Sequence, residues 1–339
     1  MKAKIKPRID LENRTPLESV IPLSTPFIIN VDPSDVCNFQ CKFCPTGDRE
    51  LMRNTKGRNF GVMEYELFKK IVDDICEFDQ PIKVLRLYKD GEPFLNKKFA
   101  DMIRYAKQKQ CCNQVDTTTN ASILNPEMSL EIIEAGLDRI NISIEGVNAQ
   151  QYLSFSKFAL DFEKLIENIR FFYEHRKNCE MIVKINGDIL GPEGKDEFYA
   201  IFGDISDGVY IESIMSCWPE FELNGVKVNN EVGIYQQEIR EVLVCPYVFY
   251  SFSINADGVA SACYLDWARK LVIGDARTQS VKQIWNGDKL RELQRMFLRK
   301  ERKTHAICKE CGQMTHGNPD QIDEYADLLL NRIVSQGEK

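Results

Sequence analysis

Apolar and polar positions follow two alternating rhythms along this chain. Phe27-Ile28-Ile29-Asn30-Val31 is a short β-branched run closed by Pro33, and it predicts a first strand. Over 65–78, Leu67, Phe68, Ile71, Val72 and Ile75 recur at the spacing of one helix face. A strand over 83–88 follows, then a helix over 94–109, a strand over 114–119 and a helix over 126–135 that Gly136 stops. The order continues with a strand over 139–144, a helix over about 158–175, a strand over 181–186, a helix over 195–202 and a sixth strand over 209–215. Strand and helix alternating in this way predict parallel strands with helices outside. Six units are fewer than the eight of a closed barrel, so the expected fold is α/β, a partial (β/α)6 barrel.

Beyond Cys217 the rhythm changes. Residues 224–231 read as a small polar hairpin with Asn-Gly turn chemistry, and strands over 249–254 and 259–264 flank Asn255-Ala256-Asp257-Gly258. A helical stretch covers 280–300, and a last amphipathic helix runs over about 319–334. The expected organisation is an N-terminal arm (1–25), the barrel (26–218), a small α+β domain (219–318) and a C-terminal helix and tail (319–339). The arm is polar, with Pro7, Pro16 and Pro22, and is expected to lie over the barrel.

Composition narrows the class. The chain has 339 residues, 43% hydrophobic and 28% charged, which is ordinary for a globular protein. A net charge of −7 argues against nucleic acid or an anionic membrane held by bulk charge. Residues 8–19 lack the apolar core of a secretory signal, and the most apolar window, 242–254, is broken by Pro246 and too short to span a bilayer. A cytoplasmic location is expected. Disulfides are disfavoured there, so clustered cysteines read as metal or cluster ligands. Cys76, Cys111, Cys112 and Cys179 are scattered and read as small buried hydrophobes.

Cys37, Cys41 and Cys44 stand in the spacing C-x3-C-x2-C on one loop at the end of the first strand, on the face that carries chemistry in α/β barrels. Three thiolates suit three irons of a cubane cluster and leave the fourth iron open. Structural zinc is the alternative, but it takes four ligands in short pairs, and no fourth Cys or His is near. The stretch resembles the signature of the radical S-adenosylmethionine (radical SAM) superfamily. That resemblance implies SAM chelated to the open iron and cleaved to a 5′-deoxyadenosyl radical, with Phe43 near the adenine. Asp90-Gly91-Glu92-Pro93 resembles the family's Gly-Gly-Glu-Pro element, with Asp90 in place of the first glycine. Thr118-Thr119-Asn120-Ala121 looks like its Thr-Asn-Gly/Ala element. Ser143 matches a position that usually contacts SAM, and Lys184 and Asn186 close the fifth strand. The resemblance therefore implies a SAM site formed by Phe43, Gly91, Glu92, Thr119, Asn120, Ser143, Lys184 and Asn186. Taken singly, these are ordinary turn and strand-end residues.

Cys245, Gly258-x4-Cys263 and Cys308-x2-Cys311 resemble the auxiliary-cluster (SPASM) domain of radical SAM enzymes in its truncated twitch form. No cysteine follows Cys311, so four thiolates are on offer, enough for one fully ligated [4Fe–4S] cluster or for a zinc ribbon. Cys217, just after the sixth strand, reads either as a buried core thiol or as a hydrogen-atom donor facing the substrate. Glu145 and Glu212 are strand-end candidates for a general base. His175, His305 and His316 have no ligand spacing to one another.

The resemblance implies an oxidoreductase with SAM and two [4Fe–4S] clusters, and a flavodoxin or ferredoxin as electron donor. The cysteine spacing looks most like that of twitch dehydrogenases acting on aminocyclitols and sugars. A radical epimerase using Cys217 is one alternative. A peptide-modifying enzyme is another, although these often carry a peptide-binding domain for which the N-terminal stretch is short. A structural zinc-binding protein is the non-enzymatic alternative. No nucleic-acid or membrane partner is expected.

Overall fold

The computed structural model describes residues 1–337 apart from Pro192, Asn224, Lys227 and Asn229. Ten strands form one sheet: β1 (Lys4–Ile5), β2 (Ile28–Val31), β3 (Ile82–Arg86), β4 (Cys112–Thr119), β5 (Arg139–Ile144), β6 (Glu180–Asn186), β7 (Gly208–Glu212), β8 (Ser251–Ile254), β9 (Val259–Ser261) and β10 (Val272–Asp275). Their order is β1-β7-β6-β5-β4-β3-β2-β8-β9-β10. From β1 to β8 all neighbours are parallel, and β8–β9–β10 are antiparallel.

The six expected strands of the partial barrel are β2–β7, and the two faces of their sheet differ. Leu85, Val115, Ile140, Ile142, Met181, Val183 and Val209 are buried on the outer face. The helices Tyr65–Ile75, Phe99–Lys109, Pro126–Ala135, Phe162–His175 and Gly194–Phe202 supply the apolar partners. Sequence sets their ends. Asn125 and Asp161 accept the N–H of Met128 and Lys164 as N-caps, and Gly136 takes a φ of +91° to end its helix. The inner face is polar. In register, Arg86 faces Asp116, which faces Arg139, which faces Glu180, and Ser143 faces Lys184, which faces Tyr210. Parallel strands are usually apolar on both faces, so a polar lumen marks a place for a ligand.

Several expectations change. The arm does not merely lie over the barrel: Lys4 and Ile5 pair in parallel with Gly208 and Val209 and extend the sheet. The C-terminal hairpin also joins this sheet, because Ser251–Ile254 pairs with Ile28–Val31. The helix expected from residue 94 begins at Phe99, since Pro93–Leu95 is a 3-10 turn and the Asn96 side chain accepts the Lys98 N–H in a turn ahead of the helix. The stretch 158–175 is helical only from Phe162, and a separate helix, Ala149–Ser156, precedes it. The 280–300 helix splits into Val281–Trp285 and Asp288–Leu298 at Asn286-Gly287. The last helix is Ala326–Gly337, because Asp323 upstream spends its carboxylate on the N–H groups of Leu243 and Val244. The sixth strand stops at Glu212, where the N–H groups of Ser213 and Ile214 turn to Ile234 O and Asp188. Cys76 is exposed and Cys112 half-buried, so only Cys111 and Cys179 are the buried hydrophobes expected. The expected hairpin over 224–231 falls on a stretch in which 224, 227 and 229 lie outside the described residues.

Candidate active site and cluster positions

The loop after β2 winds tightly enough to gather its thiols. Cys44 N–H donates to Cys41 O at 3.2 Å, Gly47 N–H donates to Cys44 O at 2.9 Å, and Phe39 N–H points at Cys37 Sγ at 3.4 Å. A Cβ on Gly47 would stand 2.4 Å from Cys41 O, so glycine permits the turn. The unexpected helix Ala149–Ser156 anchors the loop: Gln40 N–H donates to Ser156 O, and Phe39 packs edge-on to Tyr152. Phe43 stacks on Phe155 of the same helix, with centroids 5.5 Å apart.

Two strand-end loops brace the cysteine loop. Glu92 N–H donates to Val36 O at 2.9 Å, and a Cβ on Gly91 would meet Ser34 O at 2.1 Å and Val36 O at 2.3 Å. The Glu92 carboxylate accepts from Phe94 N–H (3.0 Å), Thr119 Oγ1 (2.6 Å) and Asn120 N–H (2.8 Å). Both its oxygens are thereby engaged, and burial pushes its pKa up to about 7. Asn120 Nδ2 reaches Asn38 Oδ1 at 2.9 Å and lies 3.9 Å from Cys37 Sγ. Ala121 adopts φ +55°, the left-handed conformation that glycine would fill at this point of the motif. Gly91, Glu92, Thr119 and Asn120 thus converge on the cysteine loop, while Ser143, Lys184 and Asn186 line the lumen beyond it.

The four cysteines expected to hold an auxiliary cluster, Cys245, Cys263, Cys308 and Cys311, come from three separated segments. Arg302, 5% exposed, ties two of them together: Nε donates to Leu243 O at 3.2 Å, a terminal nitrogen to Val242 O at 3.2 Å, and the other to Cys308 O at 2.5 Å. Cys263 Sγ accepts the Leu265 N–H at 3.4 Å. A Cβ on Gly312 would stand 2.0 Å from Ser216 O, so Cys311-Gly312 lies directly against the loop carrying Cys217.

Burial first raises every one of these thiol pKa values; the next contribution is from Glu92 on Cys37, Glu145 on Cys41, and neighbouring thiols on Cys245, Cys263 and Cys308, while for Cys44 and Cys311 burial is the leading cause. Buried thiols gathered at such a cost suit a cationic cluster that takes them as thiolates. Among the described residues no three sulfurs lie within 4.8 Å of one another, whereas Zn–S bonds of about 2.3 Å would bring them to about 3.8 Å. Neither set is gathered as tightly as a single zinc ion would hold it. The trio that does meet that spacing, Asp32, Asp35 and Asp90, is interleaved with Arg58, Lys89 and Arg269 and so does not present an open cation site.

Lumen chemistry is zwitterionic. Arg86 pairs with Asp116 at 3.2 Å, Arg139 with Glu180 at 2.9 Å and Lys184 with Glu212 at 2.7 Å. Arg8, from the N-terminal arm, reaches in to Glu212 at 3.4 Å. Asp116 Oδ1, Thr118 Oγ1, Asn141 Oδ1 and Glu145 Oε2 are buried oxygens without hydrogen-bond partners on this side. Glu145 joins no ion pair among the described residues, and burial pushes its pKa up to about 8. It lines a cavity of about 190 Å³ with Lys42, Gln151, Phe155 and Asp188. Cys217 is buried; burial and then Cys311 push its pKa up to about 12, and Cys44 and Arg8 act on it too.

Sequence reasoning missed Arg8, the Arg302 staple and the polar lumen. The lumen had a signal: polar residues at every second position in Arg139-Ile140-Asn141-Ile142-Ser143-Ile144-Glu145 and its neighbours. Arg8 and Arg302 had none, because Arg8 acts on Glu212 and Arg302 on Val242 and Leu243, all remote in the chain.

A partial barrel of parallel strands, with a three-thiol loop at its mouth and a second cysteine set beside it, defines an α/β iron–sulfur protein. The model of the Radical SAM superfamily matches residues 31–205, and that of the SPASM iron–sulfur cluster-binding domain matches 245–312. The chain belongs to the radical SAM superfamily, and its cofactors are S-adenosyl-L-methionine and two [4Fe–4S] clusters. The tungsten-containing aldehyde ferredoxin oxidoreductase cofactor-modifying protein of Pyrococcus furiosus is 30% identical over 109 residues, 32% of this chain and 28% of that one. The GTP 3′,8-cyclase of Peptoclostridium acidaminophilum is 25% identical over 169 residues, 50% of this chain and 48% of that one. These matches span half or less of the relatives' lengths. BtrN in complex with AdoMet and 2-DOIA aligns over 88% of this chain and 97% of its own at TM-score 0.56 and 17% identity. SuiB of Streptococcus suis bound to precursor peptide SuiA aligns over 81% and 67% at TM-score 0.61 and 12% identity. At these identities the likeness is one of fold. No helix among the described residues is long and apolar enough to cross a membrane.

Proposed function

We propose that this enzyme performs a net two-electron oxidation of a small, polar, sugar- or aminocyclitol-like substrate held in the lumen. The observation that carries this reading is the auxiliary set itself: four cysteines, Cys245, Cys263, Cys308 and Cys311, enough to ligate every iron of a cluster, packed through Gly312 against the barrel mouth. A cluster with no open iron exchanges electrons and does not bind substrate. Cys37, Cys41 and Cys44 would hold the other cluster, with SAM between Phe43, Gly91, Thr119, Asn120 and Ser143. When bound, these groups supply a 5′-deoxyadenosyl radical that takes hydrogen from carbon and a second cluster that takes the electron left behind.

The chain's residues do the rest. Oxygens without hydrogen-bond partners on Asp116, Thr118, Asn141 and Glu145 suit a ligand rich in O–H or N–H donors, and Arg8, paired with Glu212, brings a cation to the lumen. Glu145, free of ion pairs among the described residues, suits the hydroxyl proton that must leave as a carbonyl forms. A cytoplasmic location and a flavodoxin or ferredoxin donor belong to the same reading. One observation favours epimerisation as a second reading: Cys217 is a protonated, buried thiol near Arg8 and both cysteine sets. Turnover of sugars and aminocyclitols with SAM and reductant in deuterium oxide separates the two. Oxidation gives a carbonyl product two hydrogens lighter. Solvent deuterium on the carbon that lost its hydrogen, in a product that keeps its hydroxyl, contradicts oxidation and supports epimerisation.

A further inference from the structure

Asp90 stands where the resembling motif has glycine, and it lies at the centre of a buried charge network. Its carboxylate meets Arg58 at 3.0 Å, Lys89 at 2.8 Å and Arg269 at 3.1 Å, and its own side chain is 1% exposed. Its N–H donates to Asp32 Oδ2 at 3.0 Å, and Asp35 takes the other side of Arg269 at 2.8 Å. Three carboxyls and three cations are thus interleaved without water-exposed ends. The segments they come from are telling. Asp32 and Asp35 lead into Cys37, Lys89 and Asp90 lead into Gly91-Glu92, and Arg269 follows Cys263 on the auxiliary turn. The cations also hold that turn's backbone: Arg58 donates to Trp267 O at 2.7 Å and Lys89 to Asp266 O at 3.3 Å. Asp266 N–H in turn donates to Cys263 O at 3.2 Å.

We infer that Asp90 is a positioning residue that registers the auxiliary-cluster turn against the SAM-site loops and balances the charge between the two clusters. Buried ion networks contribute little net stability but fix one arrangement, and losing one partner leaves charge uncompensated. A glycine here would leave Arg58, Lys89 and Arg269 facing each other around two remaining carboxyls. The inference rests on Cys263 being an auxiliary ligand, as proposed above.

The test uses the full chain carrying Cys37→Ala, Cys41→Ala and Cys44→Ala, reconstituted anaerobically, so that the auxiliary cluster alone remains. Its reduction potential is read by an EPR-monitored redox titration, with iron counted per chain. Asp90→Asn removes a negative charge from the network that holds the auxiliary turn and is expected to shift the potential upwards. Lys89→Gln is expected to shift it downwards, and the double variant to return it most of the way to the parent. Iron retained with an unmoved potential in both single variants overturns the inference. A shift in Asp90→Asn that Lys89→Gln fails to reverse overturns it too. If Asp90→Asn does not load iron, the downward shift in Lys89→Gln alone decides. Absence of iron in the parent background overturns the auxiliary assignment as well as the inference, and so is distinguishable from failure of the network alone.

Discussion

The two cysteine sets of this protein are built in opposite ways. Cys37, Cys41 and Cys44 share one short loop whose own turn brings them together, and the loops at Gly91-Glu92 and Thr119-Asn120 only brace it. Cys245, Cys263, Cys308 and Cys311 arrive from three segments, and their meeting depends on the Arg302 staple and on a sheet that continues from the barrel through β2 and β8. A local site needs the chain to bend correctly. A distributed site needs the chain to be folded. The first should be broken by changes close to it in sequence, and the second by changes far away.

The largest expected effect tests the local site. Cys41→Ala should abolish 5′-deoxyadenosine formation while retaining about half of the iron, since a cubane held by three thiolates does not survive on two. Retained SAM cleavage at the wild-type rate would break the comparison. Next comes the staple. Arg302→Met removes three charge-assisted donors to buried carbonyls, each contributing about 1.5–3 kcal/mol. Auxiliary iron should be lost and the thermal midpoint lowered, with substrate-free SAM cleavage retained at a reduced rate. Loss of both clusters in proportion would mean that the two sites are one cooperative unit.

Gly91→Ala sharpens the local side. Its Cβ would press on the carbonyls of Ser34 and Val36, an overpacking cost of about 1–3 kcal/mol that falls first on the backbone leading into the cysteine loop. SAM affinity should weaken by about tenfold or more with auxiliary iron unchanged, as measured by SAM titration and iron analysis.

The smallest effect concerns the lumen. Glu145 has its pKa raised from 4.5 to about 8 in the folded chain, chiefly by burial. Between these values the folded state binds more protons than the unfolded, so stability falls as pH rises through that window. Glu145→Gln should flatten the fall in thermal midpoint between pH 6 and pH 8, and an unchanged slope would contradict the assignment.

The same contrast explains what could be read from the sequence. The strands β2–β7, their helices and the three-cysteine loop were legible because each is a local pattern of spacing or alternation. The side-chain turn at Asn96 and the break at Asn286-Gly287 shifted helix ends by competing side-chain and backbone bonding. The parallel pairing of Lys4–Ile5 with β7 was not legible, because two residues carry no period. Arg8, Arg302 and Arg269 were invisible as functional residues, since a cation's partner cannot be named until the fold brings it near. Asp90 was visible only as a departure from a motif, and the reason for the departure lies in Arg58 and Arg269, distant in the chain.

The measurement that bears most directly on the account is iron, sulfide and zinc per chain after anaerobic purification and reconstitution. It is made on the wild-type protein and on the chain with Cys37, Cys41 and Cys44 changed to alanine. About eight irons with matching sulfide are expected in the first and about four in the second. Zinc without iron, or equal iron in both proteins, would contradict it.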